Sequence, residues 1–270
     1  MTTPRLSVQL YSVREALDAD LDGTLARIAG LGFGAVEAFD FVRRAPELAA
    51  VLDRHGLEAP TGHATLVSDT VGFPVPTPAP ALYEVFAAAR ELGMAYVIDP
   101  MVGPERWAAE DEVAATAARL NAAAVVARDH GLRVGYHNHS QEFHHCFDGV
   151  SAFERFVSLL DDDVVIELDA YWAQVGGQDV PALVARLGDR LVALHVKDGR
   201  VGEDPFRTGR FDPAALGQVP AGGGEVPLDA ILDAAAGLEY AIAEFDHYEG
   251  DVFEGLGGSV RFLAERGVRR

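Results

Sequence analysis

Residues 127–137 read Ala-Arg-Asp-His-Gly-Leu-Arg-Val-Gly-Tyr-His, and they show the pattern that decides the fold. An apparent helix ends at Gly131, one apolar residue follows, and a short β-prone run begins. Glycine just past a helix adopts the left-handed conformation at little cost, so the pattern indicates a helix that stops and leads into a strand. A repeated αβ unit is predicted, because the pattern recurs at Gly32-Phe33, Gly56-Leu57, Gly93-Met94 and Gly237-Leu238.

Eight strands follow when the sequence is read outward from these joints. Residues 164–169 and 191–195 are almost continuously apolar, as expected for parallel strands that helices cover. Segments with apolar residues at helical spacing, such as Leu25 and Ile28 before Gly32, separate consecutive strands. The strands are predicted near Leu6–Tyr11, Ala35–Ala38, Glu58–Thr61, Tyr96–Asp99, Arg133–His137, Val164–Asp169, Leu191–His195 and Tyr240–Glu244.

Eight strand–helix units in 270 residues favour a closed (β/α)8 TIM barrel, an α/β fold made of one domain over residues 1–270. An open doubly wound sheet is the competing architecture. A dinucleotide-binding sheet of that kind needs a G-x-G-x-x-G turn after its first strand, whereas Tyr11-Ser12-Val13-Arg14 stands there in this chain.

The composition bounds the class of protein. With 49% apolar and 24% charged residues, the chain can bury a core of ordinary size. Its net charge of −20 makes nucleic acid and anionic membranes poor partners. The single cysteine, Cys146, has no internal disulfide partner, and residues 1–12 lack the features of a signal peptide. We expect a cytoplasmic protein that acts on a small molecule, and a homo-oligomer is compatible with these features.

Two segments depart from the repeat. Residues 73–80 carry prolines at 74, 76, 78 and 80 and are predicted to form a stiff connector whose last proline stands at the start of a helix. Residues 198–227 show no sustained periodicity. Loops of that length usually act as lids or binding loops, so we expect this one to cover the mouth of the barrel.

Polar side chains end most of the predicted strands. Barrel enzymes carry their catalytic residues at these carboxyl ends. A single polar residue there could merely cap a helix, but repetition on several strands favours one shared site. Acids and imidazoles that converge in this way need a divalent cation, for which manganese, magnesium, cobalt and zinc are suitable. The residues are Glu37, His63, Asp99, His137 with the following Asn138, His139 and Glu142, then Asp169, His195 and Glu244.

The stretch between His137 and Cys146 is crowded with ligand-type residues, including His144 and His145. A separate structural zinc site is one interpretation, although Cys146 has no cysteine partner. The favoured interpretation is that His137 and His139 face a substrate or orient Glu142.

Four of these stretches resemble motifs of the sugar phosphate isomerase/epimerase family, which belongs to the xylose isomerase-like TIM barrel superfamily. They are Gly-Tyr-His-Asn-His-Ser-Gln-Glu-Phe at 135–143, Glu-Leu-Asp-Ala-Tyr-Trp at 167–172, His-Val-Lys-Asp at 195–198 and Ala-Glu-Phe-Asp at 243–246. Residues 9–14 are also similar. The last motif commonly reads Val-Glu-Gln-Asp, so Phe245 departs from it.

The resemblance implies one divalent metal ion held by Glu142, Asp169, His195 and Glu244. It also implies carbon-acid chemistry on a ketose, keto-sugar or inosose, in which Glu142 and Glu244 exchange a proton on opposite faces of the substrate. If the proton is returned to a carbon of the substrate, the enzyme is an isomerase or epimerase. Loss of a β substituent instead gives a lyase or dehydratase, with His137 or His139 protonating the leaving group.

Several further residues are assigned provisional roles. Lys197 is expected to polarise a substrate oxygen or to form a strand-end salt bridge. Arg200, with Arg207 and Arg210, forms either a substrate-anion site or a solvated loop. The glycines at 222–224 could expose amides to phosphate. Glu37, His63 and Trp172 are predicted to line the substrate pocket.

Two other classes compete with this interpretation. The superfamily also contains endonucleases for damaged DNA, but the net charge of −20 and a single apparent metal set argue against one here. A protein that only binds sugar would show no proton exchange.

Overall fold

The computed structural model describes residues 3–72 and 75–270 and contains a closed barrel of eight parallel strands. Each strand pairs with its neighbours in sequence, and the first pairs with the last to close the barrel. The predicted TIM barrel is confirmed, and the doubly wound alternative is wrong. The strands are β1 (Arg5–Gln9), β2 (Ala35–Ala38), β3 (Glu58–His63), β4 (Tyr96–Asp99), β5 (Arg133–His137), β6 (Val165–Asp169), β7 (Leu191–Val196) and β8 (Tyr240–Ala243).

Helices separate every consecutive pair of barrel strands and form the outer layer. They pack their apolar faces on the barrel wall, as in α3, where Leu48 and Leu52 are buried. The helices are α1 (Arg14–Ala19), α2 (Leu21–Gly30), α3 (Ala45–His55), α4 (Leu82–Glu91), α5 (Glu110–Asp129), α6 (Ala152–Ser158), α7 (Ala170–Val175), α8 (Val180–Leu187), α9 (Pro205–Thr208), α10 (Leu228–Ala234) and α11 (Val252–Glu265).

The five glycine joints behave as predicted. Gly32, Gly56, Gly93, Gly131 and Gly237 all have positive φ, between 66° and 95°. A side chain at these positions would strain the backbone, which is why glycine ends the helix and turns the chain into the next strand.

The barrel interior has an apolar floor and a polar mouth. Tyr96, Ile98, Val165 and Ile242 belong to a separate buried cluster inside the barrel, distinct from the main core around it. Gly135 stands in β5 because a Cβ there would lie 2.7 Å from side-chain atoms of Ile98 and Val165. The floor thus fills the lower barrel and leaves the space above it to polar residues.

The proline-rich segment is more than a connector. Thr70–Val71 and Thr77–Pro78 pair as a short antiparallel ladder, while Phe73 and Pro74 of the predicted loop lie outside the described residues. A second short ladder joins Cys146–Phe147 to Val150–Ser151. In the part of the chain that the structure describes, no helix is both long enough and apolar enough to cross a membrane.

Candidate metal centre

The carboxyl ends of the strands bring ligand-type side chains together at the mouth of the barrel. Among the described residues, two groups of four hold ligand atoms that all lie within 4.8 Å of one another. The upper group is His137, Asp169, His195 and Glu244; the lower group is His63, His137, Glu167 and His195. Side chains two residues apart on a strand point the same way, so Glu167 lies one layer below Asp169.

The upper group comes from β5, β6, β7 and the end of β8, and none of its side chains is more than 6% exposed. His195 Nδ1 lies 2.6 Å from Glu244 Oε2, and His137 Nε2 lies 3.8 Å from Asp169 Oδ2. Asp169 Oδ2 is buried, and its near neighbour is the charged Lys197 side chain at 3.0 Å. Two imidazole nitrogens and two carboxylates therefore converge, and this donor set fits zinc, cobalt or manganese.

Lys197 neutralises the upper group from the side. Its Nζ lies 3.0 Å from Asp169 Oδ2, 2.8 Å from Glu244 Oε2 and 2.9 Å from Asp246 Oδ2. Burial alone would lower the pKa of Lys197, but the three carboxylates raise it well above its usual value. Lys197 is thus an ammonium ion, and the predicted salt bridge is present.

The lower group converges on one carboxylate oxygen. Glu167 Oε1 lies 2.7 Å from His63 Nε2, 2.9 Å from His195 Nε2 and 3.1 Å from His137 Nδ1. Burial alone would lower the pKa of His63, but Glu37 and Glu167 raise it to about 10. Imidazole rings of the upper group are thus held from below by carboxylates, an arrangement that fixes the orientation of metal-ligating histidines.

Glu142 lies apart from both groups. It is fully buried in a 3-10 turn, where its Oε1 accepts a hydrogen bond from the Tyr136 hydroxyl at 2.9 Å and its Oε2 accepts one from the His139 amide at 3.0 Å. Tyr136 packs against Trp107 and Phe156, on the helix side of β5. Burial raises the pKa of Glu142 to about 7. The structure therefore places His137, rather than Glu142, beside Asp169, His195 and Glu244.

An aromatic wall stands beside the upper group. The His139 ring lies 5.8 Å from the Trp172 ring and 5.2 Å from the Phe206 ring, and Phe211 packs on Phe206 at 5.7 Å. His139 Nδ1 and Trp172 Nε1 are buried and have no hydrogen-bond partner in the described structure. Burial, with a smaller effect from Lys197, lowers the pKa of His139 to about 3, so this imidazole is neutral.

Phe206 and Phe211 belong to the long segment after β7, which lies over the mouth as predicted. Asp204 fastens it, because its carboxylate accepts a hydrogen bond from Ser140 at 2.7 Å and lies 2.6 Å from His144 Nε2. His144 is thus tied to this loop. His145 and Cys146 belong to neither donor group among the described residues, so the structure gives the structural zinc interpretation no support.

The surroundings of the two provisional anion sites differ. The Arg200 side chain is exposed, and the hydrogen bonds that Arg200 makes to described residues involve its backbone. The amides of Gly222 and Gly224 each donate to Asp198 Oδ2 at 2.9 Å, so the glycine turn binds a carboxylate of its own chain instead of phosphate.

Three residues of the mouth were not predicted from the sequence. Glu167 could have been found, since it stands two residues before Asp169 on the same strand. Asp246 lies in a quoted motif, but nothing local shows that it binds Lys197. Phe206 comes from a loop whose path depends on tertiary contacts.

Comparisons with known proteins agree with this fold. No curated protein sequence matches the chain significantly. The structure is similar to that of a sugar phosphate isomerase/epimerase from Parabacteroides distasonis ATCC 8503, with a TM-score of 0.79 and 21% identity over 100% of this chain and 96% of that one. It is also similar to the probable 3-DHS dehydratase from Bacillus anthracis, with a TM-score of 0.71 and 14% identity over 97% and 99% of the two chains. A third similar structure is that of the IOLI protein with a binding zinc atom, with a TM-score of 0.69 and 17% identity over 97% of each chain.

These identities establish a shared fold. A family model described as xylose isomerase-like TIM barrel matches residues 25–265, and the chain therefore belongs to the xylose isomerase-like TIM barrel family.

Proposed function

We propose that the protein is a divalent-metal-dependent isomerase or epimerase that acts on a ketose, a keto-sugar or an inosose. The observation that carries this proposal is the upper group, in which His137, Asp169, His195 and Glu244 offer four convergent donors. These donors lie at the carboxyl ends of the strands, where barrel enzymes carry their active sites. We place the metal ion among these four residues, with His137 in the position that the family resemblance gave to Glu142.

When bound, a divalent ion supplies a Lewis acid that favours loss of a proton from a carbon next to a carbonyl group. Glu244 is the candidate base of the chain. Burial alone would raise the pKa of Glu244, but Lys197 and His195 lower it below its usual range, so the carboxylate is ionised. It is also the most exposed of the four ligands, at 6%.

Lys197 is proposed to hold the carboxylates of Asp169 and Glu244 in place, since its three N–H donors all face carboxylate oxygens. Three carboxylates hold it as an ammonium ion, so it is poorly suited to forming a Schiff base, which needs a free amine.

The aromatic wall fits a substrate with an apolar ring face and hydroxyl groups. Phe206 and Phe211 offer apolar faces with the buried Trp172 packed behind Phe206, while the unpartnered nitrogens of His139 and Trp172 are potential hydrogen-bond partners for hydroxyls. A sugar or an inosose has both features.

A lyase or dehydratase is the second candidate. The observation that favours it is the unpartnered Nδ1 of His139, which can form a hydrogen bond with a leaving group beside Trp172. The fold similarity to a probable dehydratase is compatible with this outcome.

The test is proton exchange in deuterium oxide. Manganese-loaded protein is incubated with ketoses, inososes and 3-keto-sugars, and carbon-bound deuterium and new products are followed by NMR. We expect exchange that a chelator abolishes and that Glu244→Gln lowers by at least 100-fold, since general-base catalysis contributes about 10²–10⁴-fold. An epimer or isomer identifies the first candidate, and an unsaturated product the second. Absence of exchange across the panel, with metal shown to be bound, would overturn both.

A further inference from the structure

The lower group and Glu37 form a closed ring of four donors below the proposed metal ion. His63 Nε2 lies 3.1 Å from Glu37 Oε1 and 2.7 Å from Glu167 Oε1. His195 Nε2 lies 2.7 Å and 2.9 Å from the same two oxygens. The four atoms therefore alternate nitrogen and oxygen around a ring. We call this ring, made of Glu37, His63, Glu167 and His195, the lower ring.

Hydrogen bonds account for only two of the four nitrogen–oxygen contacts in the lower ring. Each Nε2 carries at most one hydrogen, so the two nitrogens cannot donate fully to four nitrogen–oxygen contacts. Only His63 with Glu167 and His195 with Glu37 have hydrogen-bond geometry. The second oxygens, Glu37 Oε2 and Glu167 Oε2, are buried and unpartnered among the described residues. The first oxygens have further neighbours, since Gln9 Nε2 donates to Glu37 Oε1 at 2.7 Å and His137 Nδ1 lies 3.1 Å from Glu167 Oε1. The cost therefore lies with the two second oxygens, which are buried without a partner.

A metal ion would satisfy all four contacts at once. Ligand atoms around a tetrahedral zinc ion with bonds of about 2 Å lie about 3.3 Å apart, which is close to the 2.7–3.1 Å between neighbouring donors of the lower ring. The Nε2 atoms of His63 and His195 both lie within 3.1 Å of the same two oxygens. Two imidazoles and two carboxylates are typical ligands of zinc and cobalt.

We propose that the lower ring binds a second divalent ion, with zinc or cobalt as the preferred metal. The site lies one layer deeper in the barrel than the upper group, and the two share the His195 ring, whose Nδ1 faces Glu244 above and whose Nε2 faces the lower ring. Glu37 and His63 are then metal ligands instead of substrate contacts. This site is independent of the proposed reaction, because it is defined by metal stoichiometry alone.

The test counts metal ions per chain. Metal-free protein is loaded with zinc, dialysed, and measured by elemental analysis and by native mass spectrometry. We expect two ions in the wild type, one in Glu37→Gln and one in His63→Gln. Asp169→Asn is the matched control in the upper group, and it should also retain one ion, the lower one. Circular dichroism shows that each variant is folded.

A cobalt titration of the wild type gives a second readout that needs no variant. Two binding phases in the visible absorption spectrum are expected. A single ion in the wild type would overturn the second site. If Asp169→Asn loses that single ion, the ion belongs to the upper group and the proposed function is intact. Two ions that both Glu37→Gln and His63→Gln retain would place the second ion elsewhere and also overturn the inference.

Discussion

At the scale of single residues, the choice between His137 and Glu142 decides the ligand set of the upper group. His137 offers Nε2 to Asp169, whereas both oxygens of Glu142 are occupied by Tyr136 and the His139 amide. We expect His137→Asn to weaken metal binding by more than the 10–100-fold typical of losing an outer-shell partner. Glu142→Gln should retain the metal. Isothermal titration with manganese measures both affinities, and a stronger loss in Glu142→Gln than in His137→Asn would reverse the assignment.

The sequence predicted Asp169 and His195 because each ends a nearly continuous apolar run, and Glu244 because it ends the strand that follows the joint at Gly237. The family resemblance named Glu142 as the fourth ligand, whereas the structure places His137, the last residue of β5, beside the other three. The 3-10 turn at Gln141–Phe143 carries Glu142 to the helix side of β5, and spacing along the chain does not reveal that turn.

Tyr96 makes a hydrogen bond whose contribution to the stability of the fold depends on pH. Its hydroxyl donates to Glu239 Oε1 at 2.8 Å, and burial followed by this bond raises the pKa of Tyr96 to about 12. Since the folded pKa exceeds the ordinary value of about 10, this stabilisation is present in full below pH 10 and is lost as the pH rises towards 12. Tyr96→Phe should cost about 1 kcal/mol of unfolding free energy at pH 8 and less at pH 11. Urea unfolding at the two pH values checks this, and an equal cost at both would contradict it.

At the scale of structural elements, Asp198 anchors the long loop after β7. Its carboxylate accepts hydrogen bonds from the amides of Gly199, Gly222, Gly224 and Val226. A Cβ on Gly224 would overlap the Asp198 carboxylate and the Gly199 backbone, whereas a Cβ on Gly202 meets nothing within 4 Å.

Gly224→Ala is therefore expected to lower the unfolding free energy by about 1–3 kcal/mol, the usual cost of overpacking. Gly202→Ala is the matched control and should change it little. Urea unfolding measures the stability, and hydrogen exchange should show faster exchange at residues 199–227 in Gly224→Ala alone. Equal unfolding free energies and equal exchange rates in the two variants would show that the Asp198 hydrogen bonds do not stabilise the loop.

The barrel elements were predictable, and the short ladders were not. Gly131 and its counterparts locate helix ends, and the apolar runs that follow locate strands. The pairing of residues 70–71 with 77–78 involves two residues a side, too few for a periodic pattern, and the prolines there favour a loop interpretation.

At the scale of the whole molecule, the barrel collects acidic groups of a chain with net charge −20 around one axis. Glu37, Glu167, Asp169 and Glu244 are at most 6% exposed, with Lys197 and imidazoles as their cations. A bound divalent ion should therefore stabilise the fold. An ion present at a hundred times its Kd raises the free energy of unfolding by about 2.7 kcal/mol.

Removing the metal with a chelator should accordingly lower the Tm by roughly 5–10 °C for a chain of this size. Differential scanning calorimetry measures the change, and excess manganese should restore the original Tm. A Tm that is the same with and without chelator, in protein shown to have lost its metal, would mean that the barrel does not depend on the ion.

The most direct test of the central claim is an anomalous difference map from crystals of the metal-loaded protein, collected at the absorption edge of the metal. We expect a peak in bonding contact with His137, Asp169, His195 and Glu244. A peak bound by Glu142 without His137, or the absence of any peak among these four side chains in protein that carries stoichiometric metal, would contradict it.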